Sequence, residues 1–258
     1  MELTAKTEPR NRYFLLDSIR GICILGMIVY HTLFDIVAFF GVPVSESLVF
    51  AVDVVRDFGA CCFICLSGIC MHFGKRPVKR FCLIAGASLI ISLVTYIVMP
   101  QMPVIFGILS FMAFASLVML PLKKHFDKLP ALPSAIICFI LFLLTFEVSG
   151  QYVGYYSLKL FTLPDFLYRN YFTAAFGFPF WGFASSDYYP VLPWIFMFLF
   201  GFFLWKIMKR SDTLMSLMGI RIRLLEKIGQ YSLYIYVIHQ PVVLGILLVV
   251  FSIFGKFQ

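Results

Sequence analysis

The sequence predicts an all-α integral membrane protein, a bundle of about seven transmembrane helices with its N-terminus in the cytoplasm and its C-terminus outside. Three observations lead there. Of 258 residues, 61% are hydrophobic and only 13% charged, whereas a soluble domain carries roughly 45–50% apolar and about 25% charged residues. Too few charges are present to cover a water-exposed surface. Apolar runs of roughly 20 residues, the length needed to cross a bilayer, recur at 19–40, 48–73, 80–99, 103–122, 131–149, 190–208 and 231–254. They are continuous, without the alternation of an outer-membrane barrel. Lysine and arginine are also split unevenly between the connections.

The split sets the orientation. One side takes three basic residues in the N-terminal tail (Lys6, Arg10, Arg12), four after the second span (Lys75, Arg76, Lys79, Arg80), three after the fourth (Lys123, Lys124, Lys128) and six after the sixth (Lys206, Lys209, Arg210, Arg221, Arg223, Lys227). The other side takes three: Lys159, Arg169 and Lys256. The richer side is read as cytoplasmic. An odd number of spans agrees with termini on opposite sides. The formal charge of +8 therefore reads as membrane orientation rather than as a nucleic-acid footprint, and no nucleic-acid partner is expected. The first 18 residues are polar, and the apolar run after them is too long for a signal peptide. The whole chain, 1–258, reads as one multi-pass domain of the plasma membrane. Its Phe-rich surfaces suit lipid or a second copy of the chain, as in a homodimer.

The seven cysteines lie in apolar runs, and Cys62–Cys65 forms a CxxC inside a span. Structural zinc wants four ligands in a compact loop, so these read as buried thiols and no metal is expected. Residues 150–189, rich in Tyr, Phe and Gly, make a long outer connection. Connections of this length are often functional. The segment reads as re-entrant or interfacial pieces that lid the outer face, or as a folded cap without an active role.

Ionisable residues within a span are costly and mark candidate sites. The first span carries Asp17, Arg20, His31 and Asp35; the second carries Asp53, Arg56 and Asp57. At 1.5 Å per residue, His31 lies about 18 Å and Asp35 about 24 Å from the inner end, while Asp53 and Asp57 lie about 8 and 14 Å below the outer end. All of these, with Arg56, share the outer half. His31 and Asp35 are four residues apart, as are Asp53 and Asp57, so each pair stacks on one helix face. A carboxylate beside an imidazole holds its tautomer and raises its basicity, which a general base requires. The alternative is an ion-pair cluster joining two helices, but three acids against one Arg and one His leave excess negative charge. At the inner end, Asp17 and Arg20 with Arg12 read as an interfacial salt bridge or an anion-binding pole. Gly21 permits close approach of a helix or a ligand. Ser67 and Gly68 read as a small-residue packing site. His239, before Gln240 and Pro241, reads as a packing histidine or a ligand-binding one. Asp187 and Tyr188, with Tyr189, stand where a substrate enters from outside, or form an aromatic belt.

The segment RYFLLDSIRGICILGMIVYH at 12–31 resembles the N-terminal signature of transmembrane acyltransferases. With FICLSGICMHFGKR at 63–76, SSDYYPVLPWIFMFLFG at 185–201 and IGQYSLYIYVIHQPV at 228–242, the chain resembles bacterial members of the heparan-α-glucosaminide N-acetyltransferase catalytic-domain family. The resemblance implies transfer of an acetyl group from cytoplasmic acetyl-CoA, as co-substrate, to an acceptor across the membrane, a sugar or glycan hydroxyl or amine. It implies a donor side of Arg12, Asp17, Arg20, Ser67 and His239. Of the outer residues, His31 is the expected base, with Asp35, Asp53, Arg56 and Asp57 as catalytic partners and Asp187 and Tyr188 on the acceptor. A proton-coupled transporter would also use intramembrane His, Asp and Arg, but the odd span count and the lack of an internal repeat argue against it. A non-catalytic envelope partner is the third reading.

Overall fold

The computed structural model describes residues 13–74 and 76–254; Lys6, Arg10, Arg12, Lys75 and Lys256 lie outside them. Every apolar run forms a long helix: α1 (Phe14–Ala38), α2 (Glu46–Cys70), α3 (Pro77–Val98), α4 (Ile108–Phe126) and α5 (Ala131–Thr145). After the long connection, which contains the short α6 (Tyr171–Ala175), come α7 (Val191–Met208) and α10 (Ser232–Phe254), with α8 (Asp212–Leu217) and α9 (Arg223–Gln230) between them. Six of these are long and apolar enough to span a membrane: α1, α3, α4, α5 with the turn that extends it to Gly150, α7 and α10. Composition thus supports six of the seven expected spans. The exception is α2, whose first half carries Glu46, Asp53, Arg56 and Asp57.

Helix α7 is the centre of the bundle. It packs on α2, α4 and α5, and its Phe198, Phe202 and Phe203 are fully buried against Ile64 of α2, Phe111 and Met119 of α4 and Phe142 of α5. By contrast α3 buries only Ile84 and Ser88, and Leu89, Ile97 and Val98 stand exposed. That suits a helix at the bundle's edge facing hydrocarbon. Three hydroxyls within the apolar helices are satisfied by their own helix: Ser18 donates to the Phe14 carbonyl, Thr32 to Ile28 and Thr145 to Leu141, so these carry no open hydrogen bond into lipid.

Glycines allow close approach at two helix crossings. A methyl at Gly68 of α2 would strike the backbone of Phe198 and Phe202, and one at Gly201 of α7 would strike the backbone of Cys65. Gly21 of α1 abuts the backbone of Leu225, and Gly229 abuts that of Asp17. Of the two readings open for Gly21, close approach of a helix is therefore the one realised, and the helix is α9.

Lysines clamp the basic end. Lys206, buried in the last turn of α7, donates to the carbonyls of Phe126 (3.3 Å), Asp127 (2.9 Å) and Leu129 (2.7 Å) just past α4. Lys123 donates to the Met71 carbonyl at 2.8 Å. Both cations sit at helix C-termini, where carbonyls lack intrahelical partners and the dipole favours positive charge.

At the opposite end the long connection folds into a cap, and here the all-α expectation is corrected. Tyr152–Tyr155 (β1) and Leu158–Thr162 (β2) form an antiparallel hairpin. β-Branched and aromatic residues favour this short extended pairing, which a search for helical spans passes over. Tyr168 donates to the Val148 carbonyl, Tyr188 to Ala174 at 2.6 Å and Ser149 to Gly177 at 3.1 Å. The cap is fastened to the 103–108 stretch by Ser185 on both backbone groups of Ile105 and by the Tyr189 N–H on Phe106.

Candidate active site

Between α1 and α2 lies a cavity of about 690 Å³, walled on α1 from Ile19 to His31 and on α2 from Val55 to Phe63. The α1 wall spans about 18 Å of helix axis at 1.5 Å per residue. Residues 185–189, Trp194 and Tyr236 close one end. Most of the wall is apolar; polar groups gather at the capped end. A methyl at Gly26 or Gly59 would meet no protein atom within 4 Å, so glycine thins both walls there.

The polar group at the capped end is built on Arg56. Its Nε donates to Asp57 at 2.9 Å, and its Nη1 donates to Asp53 at 2.7 Å and to the Tyr30 hydroxyl at 3.1 Å. Tyr156 of the hairpin reaches Asp57 at 3.4 Å. The i, i+3 spacing of Asp53 and Arg56 makes that pairing local, and Asp57 is the immediate chain neighbour of Arg56. One guanidinium thus serves two of the three acids.

The third acid stands apart. Asp35 is fully buried, and its two oxygens accept from Gln240 Nε2 of α10 at 2.8 and 3.0 Å. Of the acids open as partners for His31, Asp35 or one of α2, Asp35 is thus engaged elsewhere. The i, i+4 spacing aligns the two on α1, but the amide of Gln240 takes the carboxylate. Instead of an acid, His31 has His239 beside it, with ring centroids 5.0 Å apart. His31 lines the cavity. His239, grouped in the sequence with the donor side, lies at this end and not beside Asp17 and Arg20.

Asp187 closes the site from the cap. Its Oδ2 accepts from the Ile108 N–H at 3.1 Å, the first turn of α4, and from the Tyr236 hydroxyl at 3.0 Å. A carboxylate at a helix N-terminus is favoured by the partial positive charge there. Burial pushes the Asp187 carboxyl above its usual range, and these two donors with the Arg56 charge pull it back. Tyr188 lines the cavity while its hydroxyl is held by Ala174.

At the basic end, Arg20 Nη1 pairs with Asp17 at 2.8 Å and its Nη2 donates to Cys70 Sγ at 2.9 Å. Arg20 stands one residue past Ile19 and three before Cys23, both on the cavity wall. Arg12 lies outside the described residues. Ser67 is buried within α2 and lines neither this cavity nor a pocket of about 80 Å³ among Cys70, Arg80 and Lys123. The thiols of Cys62 and Cys65 are free, and among the described residues no group of three or more His, Cys, Asp or Glu is placed to hold a metal.

Sequence reasoning missed Tyr30, Tyr156, Tyr236 and Gln240. Only α10 carried a signal: Tyr236, His239 and Gln240 fall at i, i+3 and i+4, on one helix face.

This constellation and all but the last residue of the signature segments lie within one family match. The model of the heparan-α-glucosaminide N-acetyltransferase catalytic domain matches residues 12–241. The chain belongs to that family. It is thus a transferase of an acetyltransferase family, carried on membrane-spanning helices. The match covers His31, Asp35, the Arg56 cluster, Asp187 and His239, and runs from the first residue of α1's signature to Pro241 of α10. Comparisons with curated proteins and with solved structures return no match.

Proposed function

We propose that this family member moves an acetyl group from acyl-CoA, bound at the basic end, to a sugar or glycan hydroxyl or amine at the capped end. The observation that carries the reading is the cavity. It runs for about 18 Å along α1, from the level of Arg20 to His31 and Arg56. An extended pantetheine arm suits such a narrow, mostly apolar passage. The basic end suits the nucleotide phosphates, and Arg20 with Arg12 is assigned to them.

With α2 crossing as a seventh span, the basic end faces the cytoplasm and the cap faces outward, in a plasma membrane. His31 removes the proton from the acceptor hydroxyl or amine. The freed electron pair attacks the thioester carbonyl, the C–S bond breaks, and the proton ends on the departing thiol. Arg56 stabilises the charge that develops on the carbonyl oxygen. Asp187 and Tyr188 line the acceptor's approach.

The test is thermal unfolding of the detergent-purified protein with and without CoA and acetyl-CoA. A ligand that binds only the folded state raises the midpoint, by about 2.7 kcal/mol of stability at a hundred times its Kd. A rise that is lost in Arg20→Ala, each protein referred to its own ligand-free midpoint, supports the donor site. His31→Ala is expected to keep the rise and to lose acetyl transfer to a sugar panel; full transfer in that variant would remove His31 as the base. No rise at millimolar CoA would sink the reading and favour a proton-coupled transporter.

A further inference from the structure

Where α10 meets α1, His239 Nε2 is buried without a hydrogen-bond partner among the described residues. The residue is 9% exposed. Its Nδ1 lies 2.6 Å from the Tyr236 carbonyl oxygen. A carbonyl only accepts, so Nδ1 carries the proton, and in the neutral ring Nε2 is a bare acceptor. Burying an acceptor unpaired is costly. The His31 ring lies beside it, 5.0 Å away between centroids with 53° between planes. Imidazole rings whose centroids are 5.0 Å apart are close enough for an N–H···N hydrogen bond when a nitrogen of each is turned toward the other.

We propose that His239 is a positioning residue for His31. Nε2 of His239 accepts the N–H of one His31 ring nitrogen, and the other His31 nitrogen is left unprotonated toward the cavity. This rests on the reading of His31 as the base. The pair fills the place in which the sequence expected a carboxylate, since Asp35 is engaged by Gln240. An imidazole fixes the tautomer without adding a charge to be desolvated inside the bilayer. When His31 takes up the acceptor's proton, its N–H becomes cationic and the bond to His239 strengthens. Tyr236 anchors the device at both ends: its carbonyl holds His239 and its hydroxyl holds Asp187. One turn of α10 thereby ties the imidazole pair to the segment that closes the cavity.

The experiment is ethoxyformylation of the histidines by diethylpyrocarbonate in the detergent-purified full chain, read peptide by peptide by mass spectrometry. The reagent reports the nucleophilicity of the bare His31 nitrogen without any acyl acceptor. His239→Phe is expected to slow modification of His31 by about fivefold, the factor one neutral hydrogen bond is worth. His239→Gln, whose amide oxygen can accept, restores most of the rate, and His72 serves as the internal reference. An unchanged His31 rate in a folded His239→Phe protein would overturn the proposal. Should that variant not fold, ring-¹⁵N histidine spectra decide: the His239 Nε2 resonance moves in His31→Ala if the pair exists, and a stationary resonance overturns it. The CoA-induced midpoint shift is measured on the same samples. Its absence in the wild type strikes the acetyltransferase reading alone, whereas a normal shift with unaltered His31 reactivity strikes the pair alone.

Discussion

Gly201→Ala is expected to force α2 and α7 apart. A Cβ at Gly201 falls 2.7 Å from the Cys65 carbonyl carbon and 2.9 Å from its Cα, and one at Gly68 falls 2.9 Å from the Phe202 nitrogen and 3.0 Å from the Phe198 carbonyl carbon. Carbon atoms pack favourably at about 3.5–4.0 Å, and a gap of about 0.5–1 Å already forfeits a quarter to a half of a contact's attraction. The obstacle in each case is backbone, which cannot turn aside. The helices must separate by roughly 1 Å, and the loss is shared by the buried Phe198, Phe202 and Ile64. Overpacking costs about 1–3 kcal/mol, and a rigid backbone obstacle places this case at the upper end. At about 2–4 °C per kcal/mol for a chain of this size, the midpoint falls by roughly 6–12 °C. Gly68→Ala on its own does the same. Together they cost well below the sum, because the second methyl enters a gap the first has opened; an interaction of about 1–2 kcal/mol is expected. The assay is thermal unfolding in detergent, followed with a thiol-reactive dye as the buried Cys138 becomes exposed. A single variant melting like the wild type, or a double variant with fully additive loss, would refute the idea that the two glycines form one contact.

Lys206→Met keeps most of the side chain's length but withdraws the ammonium from three carbonyls. It is expected to destabilise by about 2–3 kcal/mol, seen as a lower melting midpoint. Gly26→Leu places its side chain in the cavity, where no protein atom lies within 4 Å of the new Cβ. The ligand-free midpoint should hold while the CoA-induced rise disappears; a retained rise would mean that the arm does not pass Gly26. Asp187→Asn tests a pH effect. The folded-state carboxyl is raised, so its stabilisation is full below the ordinary value of 3.8 and is lost as pH rises through the folded value. Asn mimics the neutral acid, so the variant's midpoint should lack this decline; matching pH–midpoint curves for the two proteins would contradict the assignment.

Hydrophobic run length located the long helices because a spanning helix must be apolar along its whole length. The ends moved where tertiary contacts intervene. The fourth run was expected to begin at 103, yet α4 begins at Ile108, since residues 103–107 are held by Ser185, Ser186 and Tyr189 of the cap. Helix α9 was missed because it is short and lies in a basic connection. Its partner, the Gly21 face of α1, is some two hundred residues away in sequence.

Composition by itself determined that the chain lives in a membrane, and the i, i+3 spacing within α2 determined that Asp53 and Arg56 meet. Such statements are local: they follow from residue type and helical period. Tertiary structure alone decided that Asp35 binds Gln240 rather than backing His31, that Lys206 and Lys123 cap helices besides adding basic charge, and that His239 lies against His31. Each of these joins residues distant in the chain. Which partners meet depends on how closely the helices approach, and at α1–α9 and α2–α7 that distance is set by glycines facing backbone.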